Sequence, residues 1–219
     1  MHPRYLSNAF VVGEGRGGVA VMIDSGAPIG PLLQFVPTQG LRLTHILRTH
    51  SHPDHTEHED DLDLPVMTTS FETGGLKIDA IPTPGHSEDG VCFVITDAVG
   101  DELVCTGDVL FKDSIGGGDF EQVKTDVMDV LMKMPHDRRA LPGHSDITSI
   151  GREWMFNPFV RVWRGDEPEG TERVKVGDRD ATLVVWSPDY DGKGKAWVRW
   201  DDGEDAIVAG SSVERDSDS

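Results

Sequence analysis

The sequence has little positive charge, little cysteine and no long hydrophobic run, and each shortage excludes a class of function. With 20 Lys and Arg against 39 Asp and Glu, the 219-residue chain carries a formal net charge of −19. Nucleic acids and acidic membrane surfaces are bound through Lys and Arg, so we expect neither as a partner. No stretch approaches the roughly 18 apolar residues that cross a bilayer, and the first residues do not resemble a signal peptide. These features predict a soluble cytoplasmic protein with a small-molecule substrate.

The cysteine and hydrophobic content indicate what kind of chain this is. The two cysteines, Cys92 and Cys105, lie inside apolar runs, which predicts buried, reduced thiols rather than a disulfide. Hydrophobic residues make up 37% of the chain, enough to form a core. The sequence is therefore that of a globular protein and not of a disordered acidic chain.

The pattern along the chain predicts a mixed α/β domain over residues 1–160, followed by a small β-rich unit. Glycine-rich turns separate apolar runs of strand length, and residues 120–134 place apolar side chains at helical spacing. After residue 160 the chain is charged at first and then alternates in three apolar stretches, so residues 161–213 are expected to form an antiparallel, Tudor-like or barrel-like appendage. Residues 214–219 are expected to be a flexible tail.

The segment Thr49–His55 carries the strongest chemical signal. It reads THSHPDH, so three imidazoles and a carboxylate lie within six residues. Such groups are costly to place together unless something binds them, and imidazole combined with carboxylate suits Zn, Fe or Mn. The segment therefore predicts a metal site at the end of a strand.

The spacing His50-x-His52-x-Asp54-His55 resembles the signature of the metallo-β-lactamase fold superfamily. Further motifs follow in the order found in that superfamily, and they supply Asp24 in VMIDSG, His86 in TPGHSEDG, Asp108 in CTGDVLF and His144 in LPGHSD. The resemblance covers residues 8 to 160. It implies an αββα sandwich with the metals in a cleft between the sheet edges, so the expected fold class is α/β (α+β) with the β appendage added.

The resemblance also implies a dinuclear centre of two divalent ions, zinc first and iron or manganese as alternatives. One ion would be held by His50, His52 and His86 and the other by Asp54, His55 and His144. Asp108 would bridge both ions, and Asp24 would lie behind the ligands. A hydroxide between the ions would be the nucleophile, with Asp54 and Asp108 as the catalytic carboxylates.

Within the superfamily, the sequence is most similar to glyoxalase II-like hydrolases. LPGHSDITSIGREWMFNPFV and DVLFKDSIGGGDF both match segments of these enzymes, which implies hydrolysis of a thioester or an ester. Gly117 stands where those relatives usually carry Arg, and the C-terminal unit is β-rich where authentic glyoxalase II is helical. Both departures weaken the case for a glutathione thioester.

Two other functions stay open. A mononuclear Fe(II) sulfur (persulfide) dioxygenase has a similar motif and would use His50, His86 and Asp108. The other is a non-catalytic binding module that acts through the C-terminal unit. The aromatic residues of that unit are Trp186, Tyr190, Trp197 and Trp200. They could form a cage for a cation, but the alternation in KAWVRW favours packing in the core or in an interface, such as that of a homodimer.

Overall fold

The computed structural model describes residues 1–2 and 4–215. In chain order its strands are β1 (Phe10–Gly13), β2 (Val19–Ile23), β3 (Arg42–Leu47), β4 (Val66–Met67), β5 (Phe71–Thr73), β6 (Leu76–Pro82), β7 (Val91–Thr96), β8 (Glu102–Gly107), β9 (Leu110–Phe111), β10 (Ser114–Ile115), β11 (Arg139–Pro142), β12 (Thr148–Ser149), β13 (Glu172–Val176), β14 (Arg179–Ser187), β15 (Lys195–Trp200), β16 (Asp205–Ala209) and β17 (Val213–Arg215). Its α-helices are α1 (Gly30–Thr38), α2 (Pro53–Thr56), α3 (Phe120–Thr125), α4 (Ile150–Phe156) and α5 (Pro158–Trp163).

Two mixed sheets form the larger part of the molecule. The first has the order β1-β2-β3-β4, with β2, β3 and β4 parallel, and the second has the order β12-β11-β8-β7-β6-β5. In the second sheet β8 and β11 are parallel and their other neighbours are antiparallel. Strands β9 and β10 form a separate hairpin.

The two sheets pack against each other through one apolar face each. Val21 and Leu47 of the first sheet share a buried cluster with Phe93, Ile95 and Cys105 of the second. The alternate positions of these strands are buried on the outer faces, as the period of two along a strand requires. The sheets therefore need cover on both outer sides.

Helices supply that cover. Helix α1 packs on β1 and β3, with Val36 buried. On the second sheet, Cys92, Val94 and Val104 lie in a cluster with residues of α3 and α5, including Val123 and Phe159. The layers are thus helix, sheet, sheet and helix, and the expected α/β class is confirmed.

The helix expected over residues 120–134 is not continuous. Helix α3 ends at Thr125, a wider π-helical turn spans Asp126–Val130, and a 3₁₀ turn spans Leu131–Lys133. The wider turn begins where the Asp126 carboxylate turns inward to accept a hydrogen bond from the Gly85 backbone at 2.7 Å. Side-chain bonding to a neighbouring loop therefore overrides the helical spacing at this point.

The C-terminal sheet has the order β16-β15-β14-β13-β17, two strands more than the sequence predicted. The sequence did not indicate strand β13, because it lies in a charged segment in which only Val174 and Val176 belong to the apolar face. The predicted boundary after residue 160 falls inside α5. Glu214 and Arg215, assigned to the expected tail, pair with β13, and residues 216–219 lie outside the described part.

Two further expectations concern the thiols and the membrane. Cys92 and Cys105 are both free and buried. No helix within residues 1–2 and 4–215 combines the length and the hydropathy that crossing a membrane requires.

Candidate metal centre

The seven candidate ligands and Asp24 come together, although they are spread over more than 120 positions of the sequence. Each lies just beyond the C-terminal end of a strand, where loops are free to carry functional side chains. Asp24 follows β2, the THSHPDH segment follows β3, His86 follows β6, Asp108 follows β8 and His144 follows β11. The strands thus deliver the motifs to a single edge of the sandwich.

His50, His52 and His86 form what we call the three-histidine group. Nε2 of His50 lies 2.9 Å from Nδ1 of His52, and Nε2 of His86 lies 3.1 Å from the same atom. The planes of the three rings are nearly perpendicular to one another, at 82°, 88° and 88°. One ring nitrogen of each histidine lies within 4.8 Å of the other two, close enough for the three to hold one ion.

Asp54, His55 and His144 form a second set, the Asp54 group. Oδ2 of Asp54 lies 3.6 Å from Nε2 of His55 and 3.5 Å from Nε2 of His144. Pro53 starts the short helix α2, which turns Asp54 and His55 toward the centre. His55 is fully buried, whereas the Asp54 side chain is 18% exposed.

Asp108 lies between the two groups. Its Oδ1 is 3.4 Å from Nε2 of His55, and its Oδ2 is 3.3 Å from Nε2 of His144 and 3.6 Å from Nε2 of His86. One carboxylate thus reaches a member of the three-histidine group and two members of the Asp54 group. The resemblance to the superfamily assigned a bridging role to Asp108, and a carboxylate in this position lies within reach of ions held by either group.

Asp24 lies behind the ligands and is 1% exposed. Its Oδ1 accepts a hydrogen bond from the Thr49 backbone at 2.8 Å, and its Oδ2 accepts from the Thr49 hydroxyl at 2.9 Å. Oδ2 also lies 2.8 Å from Nδ1 of His55. The carboxylate fixes the ring of His55 so that Nε2 points into the centre.

The electrostatics of the centre reflect concentrated carboxylate charge. Burial lowers the pKa of His50 to about 4. Burial also opposes protonation of His55 and His144, but their carboxylate neighbours, Asp108 above all, raise the pKa of His55 to about 11 and that of His144 to about 9. Negative charge at this depth favours a cation between the side chains.

The donor set fits metal ions. Ligands of a tetrahedral ion bound at 2.0–2.2 Å are about 3.4 Å apart, and the distances around Asp108 are 3.3 to 3.6 Å. Nε2 of His55 and Oδ1 of Asp108 are buried and make no hydrogen bond within the described part of the chain. Buried polar atoms without partners are rare, and an ion between them would satisfy both.

Close backbone contacts make the convergence possible. A Cβ on Gly143 would lie 2.2 Å from Oδ1 of Asp108, and a Cβ on Gly26 would lie 1.7 Å from the backbone oxygen of Asp54. Only glycine leaves room for these approaches. The glycine in LPGHSD therefore serves to place His144 beside Asp108.

A polar network under the centre explains a motif to which the sequence assigned no role. The buried carboxylate of Glu153 accepts from the Asp113 backbone at 2.8 Å, from Arg152 at 2.7 Å and from Asn157 at 3.1 Å. Asn157 also donates to the Ser114 backbone at 2.9 Å. The TSIGREWMFNPF segment thus fixes the loop at residues 113–115. That loop leads directly to Gly117, whose carbonyl oxygen lies 2.7 Å from Nδ1 of His86.

The aromatic residues of the C-terminal sheet do not form a cage. Trp197 is buried in the core under the helices, Trp200 packs in the small core of the C-terminal sheet and Trp186 is 44% exposed. Tyr190 instead stacks on the ring of His144, with centroids 4.0 Å apart and planes at 14°. Nothing in the sequence pointed to this contact, because the two residues belong to different predicted units.

Comparison with known proteins gives a family and a fold. A family model described as the metallo-beta-lactamase superfamily matches residues 2–56. A probable metallo-hydrolase of Streptococcus pyogenes serotype M6 is 40% identical over 94 residues, which cover 41% of this chain and 39% of that protein.

Two solved structures are similar over most of their own length. TTHA1623 in a di-iron-bound form is 28% identical with a TM-score of 0.58, and the match covers 73% of this chain and 98% of that one. ETHE1 from Myxococcus xanthus is 26% identical with a TM-score of 0.58, and the match covers 71% of this chain and 80% of that one. More than a quarter of the present chain therefore lies outside each of the two matches.

Proposed function

Since this chain belongs to the metallo-β-lactamase superfamily, we propose that it is a dinuclear metal-dependent hydrolase of thioesters or esters, similar to glyoxalase II. The observation that carries the proposal is the position of Asp108. Its two oxygens lie 3.3 to 3.6 Å from nitrogens of both ligand groups, as a carboxylate shared by two ions requires. Zinc is the expected metal, and iron or manganese would suit the same ligands.

Two divalent ions bound there would polarise a substrate carbonyl and lower the pKa of bound water toward neutrality. The residues of the chain hold and orient this centre. His50, His52 and His86 would hold one ion, and the members of the Asp54 group would hold the other. Asp24 and the Gly117 carbonyl fix the rings of His55 and His86 from behind.

Access to the centre determines where the substrate lies. His52 is exposed and Asp54 is half-buried, whereas His50, His55 and His144 are buried. A substrate carbonyl therefore approaches from the side of His52 and Asp54. Asp54, at this open side, is placed to hold a proton on its way to the leaving group.

Support for the proposal comes from the relatives as well as from the geometry. The Streptococcus pyogenes relative bears the name of a probable metallo-hydrolase, and TTHA1623 was solved with two irons. The segment LPGHSDITSIGREWMFNPFV resembles a segment of glyoxalase II-like hydrolases. In the structure its Asn157 and Glu153 fix the loop beside His86.

A mononuclear Fe(II) dioxygenase acting on persulfides is the second candidate. It would use His50, His86 and Asp108, and Nε2 of His86 lies 3.6 Å from Oδ2 of Asp108. The likeness to ETHE1, at 26% identity, is nearly as strong as that to TTHA1623.

One pair of assays separates the two candidates. We expect the purified protein to release thiol or alcohol from a panel of anionic, neutral and cationic thioesters and esters, and to consume no oxygen with glutathione persulfide. Asp108→Ala should abolish hydrolysis, while Asp79→Asn, an exposed carboxylate paired with Lys77, should not. Oxygen uptake without hydrolysis would replace the first candidate with the second.

A further inference from the structure

The histidines of the centre are held in place in different ways. In three of them Nδ1 lies within hydrogen-bond distance of a protein oxygen: Thr49 Oγ1 for His50 at 3.0 Å, Asp24 Oδ2 for His55 at 2.8 Å and the Gly117 carbonyl for His86 at 2.7 Å. Such a bond fixes both the tautomer and the ring plane of a metal-binding histidine.

His144 has no such bond. Its Nδ1 is buried and makes no hydrogen bond with any of residues 1–2 and 4–215. The backbone on either side is well held, because Nδ2 of Asn8 donates to the carbonyls of Pro142 at 3.0 Å and Ser145 at 2.8 Å. These bonds hold the backbone at His144 but do not restrain rotation of its imidazole about the side-chain bonds.

Aromatic packing restrains that rotation. Tyr190 stacks on the imidazole of His144 at 4.0 Å and 14°, and Phe111 meets both rings edge-on, at 5.6 Å from His144 and 5.5 Å from Tyr190. The ring of His55 lies edge-on at 5.3 Å from that of His144. A flat ring stacked on one face blocks the imidazole from turning out of plane.

The loop that carries Tyr190 is itself anchored. It joins β14 to β15 and follows Ser187, the last residue of β14, whose hydroxyl lies 3.1 Å from that of Ser114. Asp189, with a side chain 4% exposed, pairs with Lys195 at 3.1 Å and accepts from the Tyr190 backbone at 2.9 Å. Tyr190 is thus held against His144 by the C-terminal sheet.

We propose that Tyr190 is a positioning residue for His144, its stacked ring taking the place of the hydrogen bond that orients His50, His55 and His86. The C-terminal sheet is then part of the metal centre, because it supplies this ring. The inference rests on the proposed function, since it takes His144 as a ligand of the Asp54 group.

The test measures metal binding with cobalt(II) alone, by stepwise titration of metal-free protein against a competing chelator. Tyr190→Leu removes the flat ring, and we expect it to weaken one of the two bound equivalents on the order of 10-fold while leaving the other unchanged. Tyr190→Phe keeps the ring and should bind as the wild type does. Trp186→Leu removes an exposed aromatic ring from the adjoining strand β14 and should also leave both equivalents unchanged.

The outcomes separate this inference from the proposed function. A wild-type protein that binds fewer than two ions overturns the dinuclear centre and this inference with it. Two ions in the wild type and equal affinities in Tyr190→Leu overturn this inference alone. A Phe variant as weak as the Leu variant also overturns it, because the hydroxyl would then be the active group.

A measurement on the wild type covers the case in which Tyr190→Leu does not fold. The chain has two tyrosines, so ring-labelled tyrosine gives two sets of NMR signals. We expect one zinc equivalent to shift the Tyr190 signals and neither to shift those of Tyr5, which contacts His2 instead. Tyr190 signals that stay unchanged through both equivalents would contradict the inference.

Discussion

Replacing Asp24 by Asn tests how the chain sets the tautomer of a metal ligand. Asp24 accepts two hydrogen bonds from Thr49 and lies 2.8 Å from Nδ1 of His55. In Asp24→Asn, the Oδ1 position can still accept from the Thr49 backbone. The other position becomes an amide NH₂, which cannot accept from Nδ1 of His55.

The magnitude follows from that geometry. To pair with the new amide, His55 must carry its proton on Nε2 instead of Nδ1, and Nε2 then loses the lone pair that it offers to the ion. Moving the proton back to Nδ1 restores the lone pair on Nε2, but Nδ1–H of His55 then faces the NH₂ of the new amide. Two buried donors that face each other cost about 1–3 kcal/mol. Since about 1.4 kcal/mol is a factor of ten, the Asp54 group should bind metal roughly 10- to 100-fold more weakly. The three-histidine group is linked to Asp24 only through the Thr49 hydroxyl, which lies 3.0 Å from Nδ1 of His50, so its affinity for metal should fall less than that of the Asp54 group.

Chelator competition against each metal equivalent is the assay, with the exposed Asp79→Asn variant as the matched control. Hydrolytic turnover should fall as the more weakly bound ion dissociates, and it should recover when excess metal is added. Equal weakening of both equivalents, or none at all, would refute the tautomer reasoning.

Three further predictions follow from burial and packing. Glu153→Ala should lower the free energy of unfolding by about 3–5 kcal/mol in urea titrations, because it leaves a buried polar network without its acceptor; a loss below about 1 kcal/mol would contradict this. Burial raises the pKa of the Cys92 thiol to about 12 and that of Cys105 well above its usual range. Both thiols should therefore resist a thiol reagent at neutral pH until the chain is unfolded, and rapid reaction of the native protein would be the contrary result. Gly117 has open space where a Cβ would lie, so Gly117→Arg should fold normally and lower the KM for anionic thioesters, while Gly116→Ala, whose Cβ would lie 1.7 Å from a backbone oxygen, should not fold normally. An unchanged KM in the first, or a normal unfolding midpoint in the second, would count against the structure of this loop.

The candidate site could be predicted from the sequence because its residues follow strand ends in short motifs. Strands of the two sheets end at one edge, so Asp24, His86 and His144 converge once the fold is known. The spacing within THSHPDH needs only a turn and a short helix begun by Pro53. The composition of THSHPDH alone pointed to a metal site, whereas Asp24, His86, Asp108 and His144 were identified through the resemblance to the superfamily.

Features that depend on contacts between distant segments were not visible. The helix expected at residues 120–134 changes form at Asp126, because its carboxylate bonds to Gly85, 41 positions earlier. Tyr190 reaches His144 through the loop between β14 and β15, in a unit predicted to be separate. Strand β13 has only two apolar side chains on its inner face, too few to stand out in a charged segment. No local pattern contains such information.

The number of metal ions per chain, measured by elemental analysis together with turnover, tests the central claim most directly. We predict two divalent ions per wild-type chain and fewer than two in Asp108→Ala, with hydrolysis lost in the variant. An Asp108→Ala protein that retains two tightly bound ions and full turnover would contradict the bridging role of Asp108 and the dinuclear mechanism built on it.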